Sequence, residues 1–143
     1  MALMQIEHGS TQYEQMVKLR EEVLRRPLGL SFTPAQLAEE KDDILICAFD
    51  DGRILGCCIL TQLDNDTVKL RQMAVNSRLQ HKGIGFSIMQ FAENLARDRG
   101  YRKLTMHARD TALGFYQKLG YKIVGEPFEE VTVPHHKMEK QLR

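Results

Sequence analysis

The chain has 143 residues, 27% of them charged, with 20 Lys and Arg against 19 Asp and Glu for a formal charge of +1. That balance excludes a protein that grips nucleic acid or an anionic membrane by global charge, and no apolar run approaches the roughly 20 residues a spanning helix needs. The length suits one domain over residues 1–143 with a continuous core, and neither a repeat nor a linker interrupts it.

Met4 to His8 reads as a short first strand. Tyr13, Met16, Val17, Val23 and Leu24 then fall on one helical face, with Ser10 or Thr11 as the cap and Pro27 and Gly29 as the stop. Thr33-Pro34 opens a second, short helix as cap and first helical position. Ile44 to Phe49 and Arg53 to Leu63 are apolar strands joined by the turn Asp50-Asp51-Gly52. Asp64-Asn65-Asp66 turns the chain into a further strand ending at Val75. Ile84, Ile88, Phe91, Ala92, Leu95 and Ala96 line one face of a helix closed by Gly100. Lys103 to Ala108 reads as a strand, Thr111 to Leu119 as a helix, and Tyr121 to Val124 and Pro134 to Leu142 as the last strands. The expected architecture is α+β, with a mixed, mostly antiparallel sheet and parallel pairing where a helix crosses over.

Glu7 and the lack of a long apolar stretch at the start argue against a signal peptide. Cys47, Cys57 and Cys58 lie in apolar strand-like segments without a C-x-x-C spacing, so they read as buried free thiols suited to a reducing cytoplasm. The acidic run Glu39-Glu40-Lys41-Asp42-Asp43 reads as a solvated helix end. Arg20 interrupts an apolar helix face and Arg71 sits inside a strand; each is open to an internal ion pair or to an anionic substrate group.

The densest signal is Gln80-His81-Lys82-Gly83-Ile84-Gly85, a glycine-bearing loop between a strand and a helix start. Unpaired amides and the positive end of the helix dipole make such a junction an anion site, and the glycines let a ligand approach the backbone. The spacing fits neither G-x-x-x-x-G-K-[ST] nor a three-glycine dinucleotide fingerprint, since Ile88 stands where the third glycine belongs. What remains is Q-x-x-G-x-G.

That pattern resembles the acyl-CoA pyrophosphate loop of the GNAT superfamily, the GCN-type N-acetyltransferases. Met73-Ala74-Val75, the loop itself, Ala112-Leu113-Gly114-Phe115-Tyr116 and Lys118-Leu119-Gly120-Tyr121 occur in that family's order and spacing, over about residues 44 to 126. The tail from Gly125 to His135 is similar to small bacterial single-domain members. The resemblance implies a twisted sheet whose fourth and fifth strands splay apart around acetyl-CoA. The backbone of Met73, Ala74 and Val75 would hold the pantetheine arm, and Gln80, His81, Lys82, Gly83, Ile84 and Gly85 the pyrophosphate. It also implies acetyl transfer to a primary amine by direct attack in a ternary complex; His107, His135 and His136 have no ligand spacing such as H-x-x-x-H, so no metal is expected. A small-molecule or peptide acceptor and a homodimer are both compatible with it; nucleic acid and membrane are not expected partners.

Such a site must take a proton from an ammonium group, hold a tetrahedral oxyanion and protonate a leaving thiolate. By resemblance Tyr116 serves the thiolate, with Phe115 beside it facing the core, and a backbone amide near Ala74 or Val75 serves the oxyanion. The base is open. Leu70, Arg71 and Gln72 supply no carboxylate where many members carry a glutamate. His107 has a suitable unperturbed pKa, while Glu129, Glu130, His135, His136 or a water relay are alternatives. Arg109 replaces an asparagine common in the family, so that residue's role does not transfer. The missing glutamate also leaves room for a catalytically silent acyl-CoA sensor.

Overall fold

Hydrophobic alternation and turn chemistry resolve, in a computed structural model that describes residues 1–79 and 82–143, into seven strands and four α-helices. The strands are β1 Ala2–Ile6, β2 Ile44–Asp50, β3 Arg53–Gln62, β4 Thr67–Val75, β5 Lys103–Arg109, β6 Lys122–Glu130 and β7 Val133–Gln141. The helices are α1 Thr11–Arg20, α2 Pro34–Ala38, α3 Ile84–Asp98 and α4 Leu113–Lys118. They form one sheet in the order β1-β2-β3-β4-β5-β7-β6, parallel at β4–β5 and antiparallel at every other pairing. Parallel neighbours need a crossover, and α3 supplies it.

Local chemistry fixes the element ends. The Ser10 hydroxyl accepts from the Tyr13 amide and caps α1. Beyond Arg20 the chain widens into a π-helical turn over Glu21–Arg25 and a 3-10 turn to Leu28, where Gly29 at φ 71° stops it. Thr33 and Gln36 form a reciprocal capping box at α2, with Pro34 at the first position. Asp51 and Gly52, at φ 49° and 75°, make the two-residue hairpin turn from β2 to β3.

The sheet has a core on each face. On one, Ile84, Ile88, Met89, Ala92 and Ala96 of α3 pack with Tyr116 and Tyr121 against Ile46, Cys58, Leu60, Val68 and Leu104. On the other, Tyr13, Met16 and Leu19 of α1 cover Leu45, Cys47, Cys57 and Ile59. Opposite faces follow from strand alternation, which sends neighbours such as Cys57 and Cys58 to opposite sides. Among the described residues no helix is long and apolar enough to cross a membrane.

Three expectations are corrected. The stretch after Val124 is not a loop: β6 runs on to Glu130, with irregular pairing between Val124 and Phe128, and turns tightly into β7. Its residues are nearly all exposed, because β6 is an edge strand, so no alternating pattern marked it. Phe115 does not face the core; it is 37% exposed. Successive helical residues diverge by about 100°, and in a helix as short as α4 Tyr116 takes the inward direction. The acidic run is not wholly solvated either. Glu40 is buried and accepts two bonds from Arg20 and one, at 2.6 Å, from the Tyr13 hydroxyl. Arg20 is therefore the internal ion pair of the two alternatives, because a buried guanidinium requires a partner.

Candidate active site

The site begins where β4 and β5 stop pairing. Their parallel ladder runs from Thr67↔Lys103 to Leu70↔Met106 and ends there. At that point β4 carries a bulge: Gln72 and Met73 stand opposite the single residue Cys58, and Gln72 takes φ 56°. A bulge bends its strand and increases its twist, while β5 stays paired with β7 as far as Arg109↔His135. The strands therefore splay, leaving the β5-facing edge of β4 without a β5 partner from Arg71 to Ala74.

Three predicted segments converge at this opening. A side chain at Gly85 would begin 3.2 Å from Phe115 Cζ and 3.8 Å from Val75 Cγ2, so the end of β4, the start of α3 and the face of α4 meet at that glycine. Gly83 takes φ 79° as the N-cap residue of α3, which leaves the first amides of a 15-residue helix directed outward. The exposed Phe115 ring rests on this junction. Lys82 and Ile84 flank it; Gln80 and His81 lie outside the described residues.

Tyr116 is 6% exposed and packs edge-on against Phe115 and Tyr121. Burial, and secondarily the neighbouring Cys58, holds its hydroxyl well above the usual tyrosine range, so it stays protonated at neutral pH. No hydrogen bond from another described residue ends on that hydroxyl. Cys57 and Cys58 are fully buried and face opposite cores. Burial pushes the Cys57 thiol to about 12 and Cys58 well above its ordinary value, so neither offers a thiolate near neutral pH.

A cavity of about 370 Å³ opens between the splayed strands, lined by Tyr116 and by Leu24 and Arg25 of the segment after α1 among others. His107 lies in its wall with Nδ1 2.9 Å from Glu130 Oε1 and 3.4 Å from Lys69 Nζ. One nitrogen cannot donate to the carboxylate and accept from the ammonium at once. The shorter, charge-assisted bond to Glu130 decides the tautomer: Nδ1 carries the proton and Nε2 is free to accept one. Desolvation works against the Glu130 charge, but the hydrogen bond from His107, with the nearby Lys69 charge, outweighs it and holds the carboxyl below its ordinary value. Phe128 meets His107 edge-on and stacks on His135, fixing both rings.

Of the candidate bases, His107, Glu130 and His135 line this cavity. Glu129 is exposed beside it, and His136 is turned away to Asp110 at 2.7 Å. Among the described residues no cluster of His, Cys, Asp or Glu is arranged to hold a metal ion. Sequence reasoning missed Lys69 and Arg25. A lysine in a strand and an arginine in a helix end carry no spacing signal; the fold brings them together from residues 44 apart in sequence.

A family model described as an acetyltransferase (GNAT) domain matches residues 27–142, and the chain belongs to that family. An uncharacterized protein of Bacillus subtilis strain 168, YyaT, is 33% identical over 76 residues, covering 53% of this chain and 51% of the relative. The chain spans about half the length of the curated relatives it matches. Among solved structures, a putative N-acetyltransferase from Lactobacillus plantarum superposes with a TM-score of 0.86 over all of both chains at 20% identity. An aminoglycoside 6'-N-acetyltransferase complexed with coenzyme A gives 0.83 at 16% identity, covering 100% of this chain and 98% of that one. At these identities the structural likeness is one of fold.

Proposed function

We propose that the domain is an acetyl-CoA-dependent N-acetyltransferase that moves an acetyl group to a primary amine by direct attack in a ternary complex. The observation that carries this reading is the bulge-driven opening of β4 from β5, with the start of α3 at one end and the buried Tyr116 hydroxyl beside it. The β4 edge at Met73 and Ala74 suits the amides of a pantetheine arm as an added strand would. The start of α3, from Lys82 through Gly85, suits a pyrophosphate. The coenzyme A complex of the structurally similar aminoglycoside enzyme agrees with this choice of cosubstrate.

Acetyl-CoA supplies the acetyl group as a thioester. In the proposed reaction His107 Nε2 accepts the proton of the incoming ammonium, and Glu130 steadies the imidazolium that results. The amine nitrogen then bonds to the thioester carbonyl carbon, and a β4 amide near Ala74 stabilises the oxyanion. As the carbon–sulfur bond breaks, Tyr116 donates its hydroxyl proton to the departing sulfur, and the second proton lost by the acylated nitrogen restores the Tyr116 hydroxyl, leaving a neutral amide and a coenzyme A thiol. Two buried, protonated cysteines support direct transfer over an acetyl-cysteine intermediate.

The lack of a carboxylate at Leu70–Gln72 favours a second reading, a silent acyl-CoA sensor. Calorimetric titration with acetyl-CoA, paired with a thiol-release assay on wild type and Tyr116→Phe, separates the two. The enzyme reading expects turnover to fall by about 100-fold with acetyl-CoA affinity unchanged. Binding without turnover on any primary amine supports the sensor, and absence of binding overturns both.

A further inference from the structure

The cavity facing the reacting centre has an unbalanced charge. Arg25, Lys69, Arg71 and Arg109 all line it, against the single carboxylate of Glu130. Arg71 reaches Asp43 at 3.7 Å, and Glu130 is already engaged by His107 and His135. Among the described residues no carboxylate lies within 4.0 Å of Arg25, Lys69 or Arg109.

Arg25 is the least compensated. Its guanidinium carbon sits 4.7 Å above the Phe32 ring, whose π system also receives Arg20 at 4.5 Å. Its Nε is buried without a hydrogen-bond partner. Desolvation, then the charges of Arg20, Arg109 and Arg71, weaken its hold on the proton, opposed only by Glu130. Arg109 is pinned by donating to the Leu24 carbonyl at 3.1 Å, which ties the end of β5 to the turn carrying Arg25. Half-buried cations gathered without counter-charge cost stability unless a ligand supplies it. Arginine forks held by a ring and a carbonyl are suited to a planar or tetrahedral oxyanion.

Resting on the acetyltransferase reading of the same site, we propose that the acceptor is a small amine bearing a carboxylate or phosphate group. Arg25 and Arg109 bind that anionic group, and Lys69 and Arg71 add to the surrounding positive field. The amine end then lies toward His107 and Tyr116, in a cavity whose size suits a compact metabolite. A polycationic amine meets four like charges on entry and is disfavoured.

The test compares matched pairs that differ only in the anion. Glycine, β-alanine, 4-aminobutanoate and 6-aminohexanoate are assayed by thiol release against their uncharged amides, 2-aminoethyl phosphate against ethanolamine, and spermidine beside them. Wild type is expected to prefer one anionic member over its neutral partner by about tenfold or more in kcat/KM. In Arg25→Gln and Arg109→Gln that preference is expected to collapse toward unity, with Arg25→Lys restoring part of it and acetyl-CoA affinity unchanged throughout.

Binding of the N-acetylated carboxylates and their N-acetyl amides, followed by calorimetry with and without coenzyme A, gives a readout that needs no turnover. Charge-selective binding lost in Arg25→Gln, in a protein that transfers nothing, would overturn the transfer reaction and leave the anion site standing. Equal handling of charged and neutral members in both assays, a preference for spermidine, or a charge preference that survives both arginine variants would overturn the anion site. So would an equal loss of acetyl-CoA affinity in those variants, since the cations would then serve the cosubstrate.

Discussion

Replacing Glu40 by glutamine leaves the shape of the α1–α2 contact intact and strands the charge of Arg20. The guanidinium is wholly excluded from solvent, and among the described residues Glu40 alone supplies its counter-charge. The same carboxylate accepts the Tyr13 hydroxyl at 2.6 Å, so one substitution weakens three bonds. Breaking a buried pair by removing one partner costs about 3–5 kcal/mol. A near-isosteric amide, which still accepts one bond, belongs at the lower end, about 3 kcal/mol. For a domain of this size that corresponds to a fall in Tm of roughly 10 °C.

The chain has no tryptophan, so the assay is thermal and urea unfolding followed by far-ultraviolet circular dichroism. The sign with pH follows from the same contacts. Desolvation opposes the Glu40 charge, but its bonds to Arg20 and Tyr13 prevail and hold its carboxyl below the ordinary 4.5. The pair's stabilisation is full above that value and is lost as pH falls through the folded-state pKa. Glu40→Gln should lack that acid-side loss. The double variant Arg20→Met with Glu40→Leu should recover most of the stability, because it removes both charges. A loss under about 1 kcal/mol in Glu40→Gln, or no recovery in the double variant, would refute a dry, mutually dependent pair.

Gly56 lies beneath α3, and a methyl there would sit 2.7 Å from Ile88 Cδ1 and 3.0 Å from the Ala74 carbonyl. Gly56→Ala should cost about 1–3 kcal/mol by overpacking, and Ile88→Val in the same chain should return part of it on thermal melting. At the β6–β7 turn, Val131 and Thr132 hold φ 46° and 63°, a conformation that costs side-chain-bearing residues about 1–2 kcal/mol each. Val131→Asn with Thr132→Gly should therefore raise the urea midpoint, and an unchanged or lower midpoint would contradict that strain. His107→Gln should reduce kcat by about 100-fold while leaving acetyl-CoA affinity intact, and Glu130→Gln by a smaller factor; steady-state rates for both decide whether the pair acts as base and orienter.

Much of the fold is legible in the sequence. Helix caps at Ser10 and Thr33, the Asp51-Gly52 turn and the apolar face of α3 are local, and short-range sterics and hydrogen bonding decide such features within a few residues. The Q-x-x-G-x-G motif and the segment around Tyr116 are contiguous too, and they carry the family resemblance. Local chemistry marked the start of β6 at Tyr121 to Val124 but was silent on its continuation to Glu130, whose exposed residues bear no period because an edge strand buries neither face well. It was wrong on Phe115 and on Glu40, whose orientation and burial depend on what packs over them.

Residue order by itself determined most element types, the apolar faces of the two main helices and the family, because these rest on contiguous motifs and on hydrophobic period. Tertiary structure alone decided where β4 leaves β5, which titratable groups share the cavity, and the pairing of Arg20 with Glu40 across 20 residues. Electrostatic pairing falls with distance in space and is blind to distance along the chain, so Arg25, Lys69, Arg71 and Arg109 became one cationic wall only once the sheet had folded.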